Sequence, residues 1–182
     1  MGAGPAIQEA FLLPDVQIRS ATPADAAQIA AIYAPYVTDT VISFEDDAPT
    51  PVVIADRVRT TRMAYPYLVA ESDGKVLAYA YGGPYRARRA YRFTAEVTAY
   101  ASPQAQGQGV GRALYDRLLD DLVQARFHTA VAIITLPNQA SVGFHESLGF
   151  QHMGTVAQVG HKFGSWHDTG IWQRHMSRPE VT

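Results

Sequence analysis

A carboxylate and a glycine-rich segment lie close together near the middle of the chain, and both could do chemistry. Glu96 stands in a stretch of alternating apolar and polar residues, and Gln106-Gly107-Gln108-Gly109-Val110-Gly111-Arg112 follows shortly after it. Glycines just before a helix let the backbone turn tightly and point free N–H groups outward, and the helix dipole adds positive charge there. The segment therefore predicts a phosphate or pyrophosphate site, with Glu96 within reach of the ligand that carries this group.

The residues around these two features predict a strand, a turn and a helix. Apolar residues occupy every second position from Tyr91 to Ala99, which is the period of a strand with one face in a core. Ser102-Pro103 ends the strand because proline cannot donate to a sheet ladder. Leucines at helical spacing follow the glycines, at Leu114, Leu118, Leu119 and Leu122.

Two other phosphate-binding loops are excluded by the residues between the glycines. A P-loop requires Gly-Lys-Ser/Thr, and no lysine follows any of these glycines. A dinucleotide fingerprint requires a third glycine where Arg112 stands. What remains, Gln106-x-x-Gly109-x-Gly111 between strand and helix, resembles the acyl-CoA-binding turn of the GNAT superfamily of N-acetyltransferases. The alternative is a glycine-rich connection that binds no ligand.

Composition limits the possible classes of protein. The 182 residues suit one domain, which we place at residues 16–182 after an N-terminal arm of residues 1–15 without clear periodicity. A net charge of −2 gives no electrostatic reason to expect nucleic acid or an anionic membrane as a partner. The chain has no cysteine, which excludes disulfides and an acyl-cysteine intermediate, so an acyl group would pass directly from donor to acceptor. No segment looks like a membrane span or signal peptide, and we expect a cytoplasmic protein.

Hydrophobic periods and turn residues predict the order strand, helix, helix, three strands, helix, strand, helix, two strands. One strand–helix–strand crossover among several hairpins predicts an α/β (α+β) fold with a mixed sheet and helices packed on it. Gly82-Gly83-Pro84 is expected to break the third strand, and loops are expected at Asp39–Pro49 and Gly160–Thr169. Phe44, in the first of these loops, would either plug the edge of a core or line a pocket.

Several separated motifs carry a closer resemblance, which extends from Val16 to Met176. They are Tyr81-Gly82-Gly83-Pro84-Tyr85-Arg86-Ala87-Arg88, Thr94-Ala95-Glu96-Val97-Thr98-Ala99-Tyr100, Leu136-Pro137-Asn138, Phe144-His145-Glu146-Ser147-Leu148-Gly149-Phe150 and Gly164-Ser165-Trp166-His167-Asp168. Together they resemble the phosphinothricin N-acetyltransferase family, whose members use acetyl-CoA to acetylate phosphinothricin, methionine sulfoximine or related amino acids. The resemblance implies a GNAT fold, with a central mixed, mostly antiparallel sheet flanked by helices. It also implies a homodimer.

Glu96 is the candidate general base. An α-ammonium group has no lone pair to attack a thioester, so an acetyltransferase must first remove a proton from it. A carboxylate on a central strand can have its pKa raised by desolvation, and the resemblance implies that the glutamate of this Thr-x-Glu-x-Thr segment is the base. The alternative is a solvated glutamate, or one paired with an arginine of the preceding segment.

His145 is a second candidate for the catalytic group, on a short helix predicted to follow Asn138. The family's Phe-His-Glu-x-Leu-Gly segment implies a role in orienting substrate or assisting proton transfer. The alternative is a partly buried histidine bonded to backbone. Gly149 stands where a His-Glu-x-x-His zinc site would need its second ligand, and we expect no metal.

Arginines before the Glu96 strand could bind an anionic acceptor, because an arginine fork matches a carboxylate or phosphinate. Two departures from the family bear on acceptor preference: Arg86 stands where phosphinothricin-detoxifying members carry lysine, and Tyr85 replaces tryptophan. The substrate contacts implied by the resemblance are Phe44, Arg86, Ala87, Arg88, Tyr91, Glu96, Thr98 and His145.

The donor contacts follow from backbone geometry and from the resemblance. The strand would pair with the pantetheine amides, a backbone N–H near Val97 could bind the thioester oxygen, and the glycine turn would hold the pyrophosphate. Asn138 would bond the cofactor arm or simply cap its helix. The full set is Val97, Thr98, Ala99, Tyr100, Ala101, Gln106, Gly107, Gln108, Gly109, Val110, Gly111, Arg112, Asn138 and Ser141.

These residues predict an enzyme that moves acetyl from acetyl-CoA to the α-amino group of a small anionic acceptor. Two alternatives remain open. The acceptor could be another small amine, such as an ordinary amino acid or a polyamine. The chain could also be a non-catalytic acyl-CoA-binding regulator, which would keep the glycine turn without needing Glu96.

Overall fold

The computed structural model describes residues 16–176, and these form one seven-stranded sheet with four α-helices. The predicted N-terminal arm lies outside the described residues. The strands are β1 Gln17–Ser20, β2 Tyr67–Ser72, β3 Lys75–Pro84, β4 Thr94–Ala101, β5 Thr129–Leu136, β6 Gln151–Lys162 and β7 Ser165–His175. The helices are α1 Ala26–Thr38, α2 Pro51–Thr61, α3 Val110–Gln124 and α4 Gln139–Ser147. The predicted order of strands and helices is confirmed.

The sheet is mixed and mostly antiparallel, as predicted. Its strand order is β1-β2-β3-β4-β5-β7-β6, and every neighbouring pair is antiparallel except β4 and β5. The parallel pair is joined through α3, because parallel strands need a crossover connection. This places the glycine turn, which precedes α3, after the carboxyl end of β4.

Helices cover both faces of the sheet. On one face, α3 buries Leu114, Tyr115, Leu118 and Leu122 against the sheet. On the other face, α1 and α2 pack around Ile29, Tyr33, Val37, Ile54 and Val58. Alternate residues of a strand point to opposite faces, so β4 contributes to both cores.

Local signals explain where several elements begin and end. The Thr50 side chain accepts a hydrogen bond from the Val53 amide, and Pro51 occupies the first turn of α2. Asn138 caps α4 in the same way, through a 3.1 Å bond from the Ser141 amide to its side-chain oxygen. Between β2 and β3, Asp73 and Gly74 both have positive φ, at 51° and 75°, as two-residue hairpin turns require.

Two expectations about the strands around Glu96 were wrong. Gly82-Gly83-Pro84 does not break β3, because its residues continue the ladder to β4, with Gly83 opposite Glu96. Strand β4 begins at Thr94 rather than Tyr91, because a short 3-10 turn occupies Arg89–Tyr91. Phe93 is consequently 44% exposed and does not belong to the core face.

The predicted loop Gly160–Thr169 was also wrong. Strands β6 and β7 run through most of it and form a long hairpin, in which Gly160 pairs with His167 and Lys162 with Ser165. The turn is only Phe163-Gly164, with φ of 50° and 75°. Polar and glycine-rich composition indicated a loop, but two residues with positive φ are enough to reverse the chain.

Candidate active site

The central feature of the site is the point where β4 and β5 separate. Their parallel pairing covers only Thr94–Glu96 against Thr129–Val131. Beyond it, β4 continues to Ala101 and stays paired with β3, while β5 continues to Leu136 and stays paired with β7. The two strands therefore leave a cleft in the middle of the sheet, and a cavity of about 390 Å³ lies there.

The backbone of β4 presents unpaired groups to this cleft. The Phe93 carbonyl accepts hydrogen bonds from the His128 and Thr129 amides and so faces β5, whereas the Ser102 amide donates to Leu77 on the β3 side. Backbone groups alternate along a strand, so Val97 and Ala99 point towards β5 and the cleft. The pairing of Glu96 with Val131 joins the Val97 N–H to the Val131 carbonyl, and beyond it the Val97 C=O and both backbone groups of Ala99 face the cleft. An extended ligand with amide groups could pair with them as an added strand.

The Ala101 carbonyl points the same way as these groups but already has a partner. The Tyr36 hydroxyl donates to it at 2.6 Å and receives a 3.3 Å bond from the Gln106 side chain. Of the predicted donor contacts on β4, Ala99 has a cleft-facing amide beyond the pairing with β5, and Val97, Thr98, Ala99 and Tyr100 all line the cavity.

Glu96 lies in the cavity wall at the narrow end of the cleft. Burial raises the pKa of its carboxyl above the ordinary value. Among residues 16–176 its carboxylate makes no hydrogen bond and no ion pair. The ion-paired alternative is therefore not realised: the carboxylate is held in a partly buried place with its oxygens open to a ligand.

The loop between α1 and α2 forms the opposite wall of the cavity. Ile42, Ser43, Phe44 and Glu45 line it, together with Tyr33 of α1. The Tyr33 hydroxyl lies 2.6 Å from the Ser43 hydroxyl and donates to Glu45 at 2.9 Å. Of the two sequence interpretations of Phe44, the structure supports the one in which it lines a pocket.

His145 reaches the cavity wall from α4, but both of its ring nitrogens are engaged. Nδ1 donates to the Ser141 carbonyl at 2.8 Å, so Nε2 accepts from the Tyr115 hydroxyl at 2.8 Å. The rings of Tyr115, Phe144 and Phe150 surround the imidazole, each in an edge-to-face arrangement. Burial lowers the pKa of His145. This geometry favours the alternative in which His145 is structural.

The glycine turn has the conformation that an anion site needs. Gly107 and Gly109 have φ of 71° and 75°, which is left-handed backbone that favours glycine. The first hydrogen bond of α3 runs from Ala113 to Gly109, so the amides of the three residues between them have no helical acceptor. The Arg112 side chain instead bonds to Asp116 and to the Ser147 carbonyl.

Asn138 and Ser141 line the cavity where α4 begins. The Asn138 side-chain oxygen accepts from the Ser141 amide, so the capping role is realised. That bond uses the oxygen only and leaves the side-chain NH₂ group to donate to a ligand. Capping and ligand binding are thus compatible at Asn138.

The predicted acceptor-binding segment lies outside the residues that line the cavity. Arg86, Ala87 and Arg88 are exposed, and the Arg86 guanidinium lies over the Tyr85 and Tyr91 rings at 5.1 and 5.8 Å. The segment follows directly after Pro84, which pairs with Ala95 next to Glu96. Contact of these arginines with an acceptor therefore stays a prediction.

Several cavity residues were not found by sequence reasoning. Tyr33 and Glu45 stand in no motif, and Tyr81 opens a motif of the family resemblance without being a predicted site residue. Tyr81 pairs with Thr98, two positions from Glu96 on the same face. Its alternation with Tyr79 was the available signal, but this pattern alone does not separate a cavity wall from a core.

Within residues 16–176, no helix combines the length and apolar composition needed to cross a bilayer. The same residues contain no group of three or more histidine or carboxylate side chains placed to hold a metal ion.

Comparison with known proteins gives consistent matches over most of the chain. The model of an acetyltransferase (GNAT) domain matches residues 18–171. A phosphinothricin N-acetyltransferase of Streptomyces viridochromogenes is 42% identical over 164 residues, which is 90% of each chain. An L-methionine sulfoximine/L-methionine sulfone acetyltransferase of Salmonella typhimurium is 38% identical over 157 residues, 86% of this chain and 92% of that one. A solved phosphinothricin acetyltransferase of Sinorhizobium meliloti, in complex with AcCoA, is 35% identical with a TM-score of 0.86, covering 92% of this chain and 91% of that one.

Proposed function

The chain belongs to the GNAT acetyltransferase family and is an acetyl-CoA-dependent N-acetyltransferase, and we propose which acceptor it uses and how it activates it. The proposed acceptor is a small anionic amino acid of the phosphinothricin or methionine sulfoximine type, acetylated on its α-amino group. The proposed general base is Glu96. One observation carries this assignment: the cavity holds a carboxylate with a raised pKa and no protein partner.

The cleft supports the placement of acetyl-CoA as donor. The neighbour from Sinorhizobium meliloti was solved with AcCoA, and here the cleft offers the Val97 carbonyl and the backbone groups of Ala99 to an extended chain. Gly109, with its left-handed φ, directly precedes α3, whose first amides are free to receive the pyrophosphate. Asn138 offers its NH₂ group from the other side.

The reaction then follows from the positions of Glu96 and of the cleft-facing backbone of β4. Glu96 takes a proton from the α-ammonium group, which frees the nitrogen lone pair. The amine attacks the thioester carbonyl carbon, and a cleft-facing backbone N–H of β4 near Val97 binds the oxyanion that forms. Collapse of this tetrahedral species breaks the C–S bond, and the second amine proton passes to the departing thiolate, so that N-acetylated product and coenzyme A thiol result while Glu96 returns the first proton to solvent.

The anionic part of the acceptor is assigned to Arg86 and Arg88. Relatives named for phosphinothricin and methionine sulfoximine support an acceptor with an anionic or strongly polar end. Arg88 makes no ion pair among residues 16–176, so its guanidinium is available to a carboxylate or phosphinate. Because Arg86 and Tyr85 depart from the family pattern, acceptor preference is the property most open to change.

Thiol release from acetyl-CoA tests this proposal against a panel of phosphinothricin, methionine sulfoximine, standard amino acids, polyamines and aminoglycosides. We expect the first two to have the highest kcat/KM, and the double variant Arg86→Ala/Arg88→Ala to raise KM for them selectively. Preference for a polyamine, or no effect of the double variant, would indicate a different acceptor. Absence of turnover with every amine, together with tight coenzyme A binding, would support the acyl-CoA-binding regulator.

We also propose that the active form is a homodimer. The β6–β7 hairpin exposes a set of large apolar side chains, and β6 is an edge strand. Surfaces of this kind mark interaction sites, and a second copy is the partner implied by the family. The residues are Met153, Val156, Val159, Phe163 and Trp166. Sedimentation equilibrium tests this, with Trp166→Glu expected to shift the protein towards monomer.

A further inference from the structure

The chain has two lysines, and they occupy opposite environments. Lys75 is exposed where β3 begins, whereas Lys162, near the tip of the β6–β7 hairpin, is only 4% exposed. Among residues 16–176, no carboxylate forms an ion pair with Lys162. Because a buried ammonium group loses its hydration, the contacts that replace water at Lys162 are structurally important.

Two backbone carbonyls take the place of that water. Lys162 Nζ donates to the Val37 carbonyl at 2.6 Å and to the Ser43 carbonyl at 2.7 Å. Val37 lies in the last turn of α1, where carbonyls lack helical partners and a cation is favoured by the helix dipole. Ser43 lies in the cavity wall. One ammonium group thus connects the hairpin, the end of α1 and the loop that faces Glu96.

The loop depends on such contacts because it has little structure of its own. Within the described chain, residues 40–49 form no backbone–backbone hydrogen bonds. Side chains also hold the loop. The Tyr33 hydroxyl is hydrogen-bonded to the Ser43 hydroxyl, and the Arg57 guanidinium donates to the Glu45 carboxylate with bonds of 2.7 and 2.9 Å. The Arg57 ion pair lowers the pKa of Glu45, with a smaller contribution from the charge of Lys162.

The hairpin also supports the loop through direct packing. A Cβ placed on Gly160 would lie 2.1 Å from the Phe44 ring, so the ring rests on the backbone of β6. Lys162, two residues further along, holds the carbonyl of Ser43, the residue before Phe44. The two contacts fix the position of the aromatic wall opposite Glu96.

We infer that Lys162 is a positioning residue for the acceptor. It acts by holding Ser43 and Phe44 in the cavity wall. The inference rests on the proposed placement of the acceptor in this cavity. The donor side is built from β4, α4 and the glycine turn, whereas the hydrogen bonds of the Lys162 ammonium group go to α1 and to the loop after it. Loss of the ammonium group should therefore weaken acceptor binding without weakening acetyl-CoA binding.

The test compares Lys162→Met with Lys75→Met, since both remove a lysine charge but only the first removes the contacts to the loop. We expect Lys162→Met to raise the acceptor KM by about tenfold or more, the scale of a misplaced substrate, with the KM for acetyl-CoA unchanged. Hydrogen exchange of residues 39–47 should speed up in this variant, and Lys75→Met should match the parent protein in both measurements. An unchanged acceptor KM with unchanged exchange in Lys162→Met would overturn the inference.

Reductive methylation of the parent protein gives an answer that does not depend on the variant folding. Lys162 should be modified much more slowly than Lys75, and more slowly still with acceptor bound. Equal rates at the two lysines, or no effect of acceptor on Lys162, would overturn the inference. If the parent releases no thiol with any amine, the proposed function fails, while exchange and the basal methylation rates still test how Lys162 holds the loop.

Discussion

Glu96 lies directly opposite Gly83 in the β3–β4 ladder. Residues opposite each other in an antiparallel pair share a face, with Cβ atoms roughly 4.5–5.5 Å apart. Gly83 has no Cβ, and one added there would meet no atom within 4 Å. The pairing therefore leaves open space beside the only catalytic group that we assign to the reaction, and an amine can approach through it.

Filling that space should impair the use of the acceptor and leave binding of the donor unchanged. We expect Gly83→Val to lower kcat/KM for the acceptor by about tenfold or more, while the dissociation constant of coenzyme A stays within a factor of two. Gly83→Ala adds a smaller side chain, so its kcat/KM for the acceptor should lie between those of Gly83→Val and the parent. Steady-state kinetics with both substrates, and calorimetry for coenzyme A, measure this. Parental kinetics in Gly83→Val would mean that the amine does not approach beside Gly83.

Two glycines of the turn should respond differently to the same substitution. Gly109 has a φ of 75°, so Gly109→Ala is expected to cost roughly 1–2 kcal/mol of backbone strain and to weaken coenzyme A binding. At Gly111 an added Cβ would lie 3.8 Å from the Phe144 ring, an ordinary contact, so Gly111→Ala serves as the matched control. Calorimetric titration with coenzyme A compares them. Equal affinities of the two variants for coenzyme A would mean that the turn is not part of the donor site.

Tyr115→Phe separates a structural His145 from a chemical one. The change removes the hydroxyl that donates to His145 Nε2 and leaves a buried acceptor without a partner, which costs about 1–3 kcal/mol of stability. We expect a lower free energy of unfolding in urea with kcat nearly unchanged. A fall in kcat of about 10²-fold at saturating substrate, the scale of lost acid–base catalysis, would instead place His145 in the chemistry.

Stability as a function of pH tests the state of Glu96 without substrate. A carboxyl whose pKa is raised on folding binds more protons when folded than when unfolded. Stability therefore falls as pH rises through the window from the unfolded value, ~4.3, to the folded value. The side chain at position 96 cannot ionise in Glu96→Gln. The melting temperature of this variant should therefore exceed that of the parent at pH values above this window and converge with it at pH values below.

Asp25 supplies a control of opposite sign for this measurement. Its hydrogen bond with Arg19 lowers its pKa, despite burial, so its contribution to stability is present above the unfolded pKa and is lost as pH falls through the folded one. Asp25→Asn should melt below the parent at neutral pH and converge with it in acid. A Glu96→Gln curve that follows Asp25→Asn would contradict a raised pKa at Glu96.

Much of the fold could be predicted because its signals are local. Thr50-Pro51 and Asn138 mark helix starts by their own side-chain chemistry, and Gly74 marks a hairpin through its positive φ. The predictions were wrong where the type of a residue does not indicate how its backbone pairs with neighbouring strands. Gly83 continues a central strand because its neighbours hold it in the ladder, and the residues after Gly160 pair across a two-residue turn despite their polar composition.

The candidate site was predictable only in part. Glu96 and Gly109 stand in motifs, so residue type and spacing were enough to find them. The separation of β4 from β5 depends on which strands pair over which residues, and no local pattern encodes it. Lys162 depends on carbonyls 119 and 125 residues away in the chain, so no spacing in the sequence could have indicated its contacts.

The central claim is that the Glu96 carboxylate removes the proton from the acceptor amine. The most direct test measures turnover of Glu96→Gln at saturating acetyl-CoA and acceptor, beside calorimetric binding of coenzyme A. The account predicts a fall in kcat of about 10²-fold or more with coenzyme A affinity within a factor of two of the parent. Parental turnover in Glu96→Gln would contradict it.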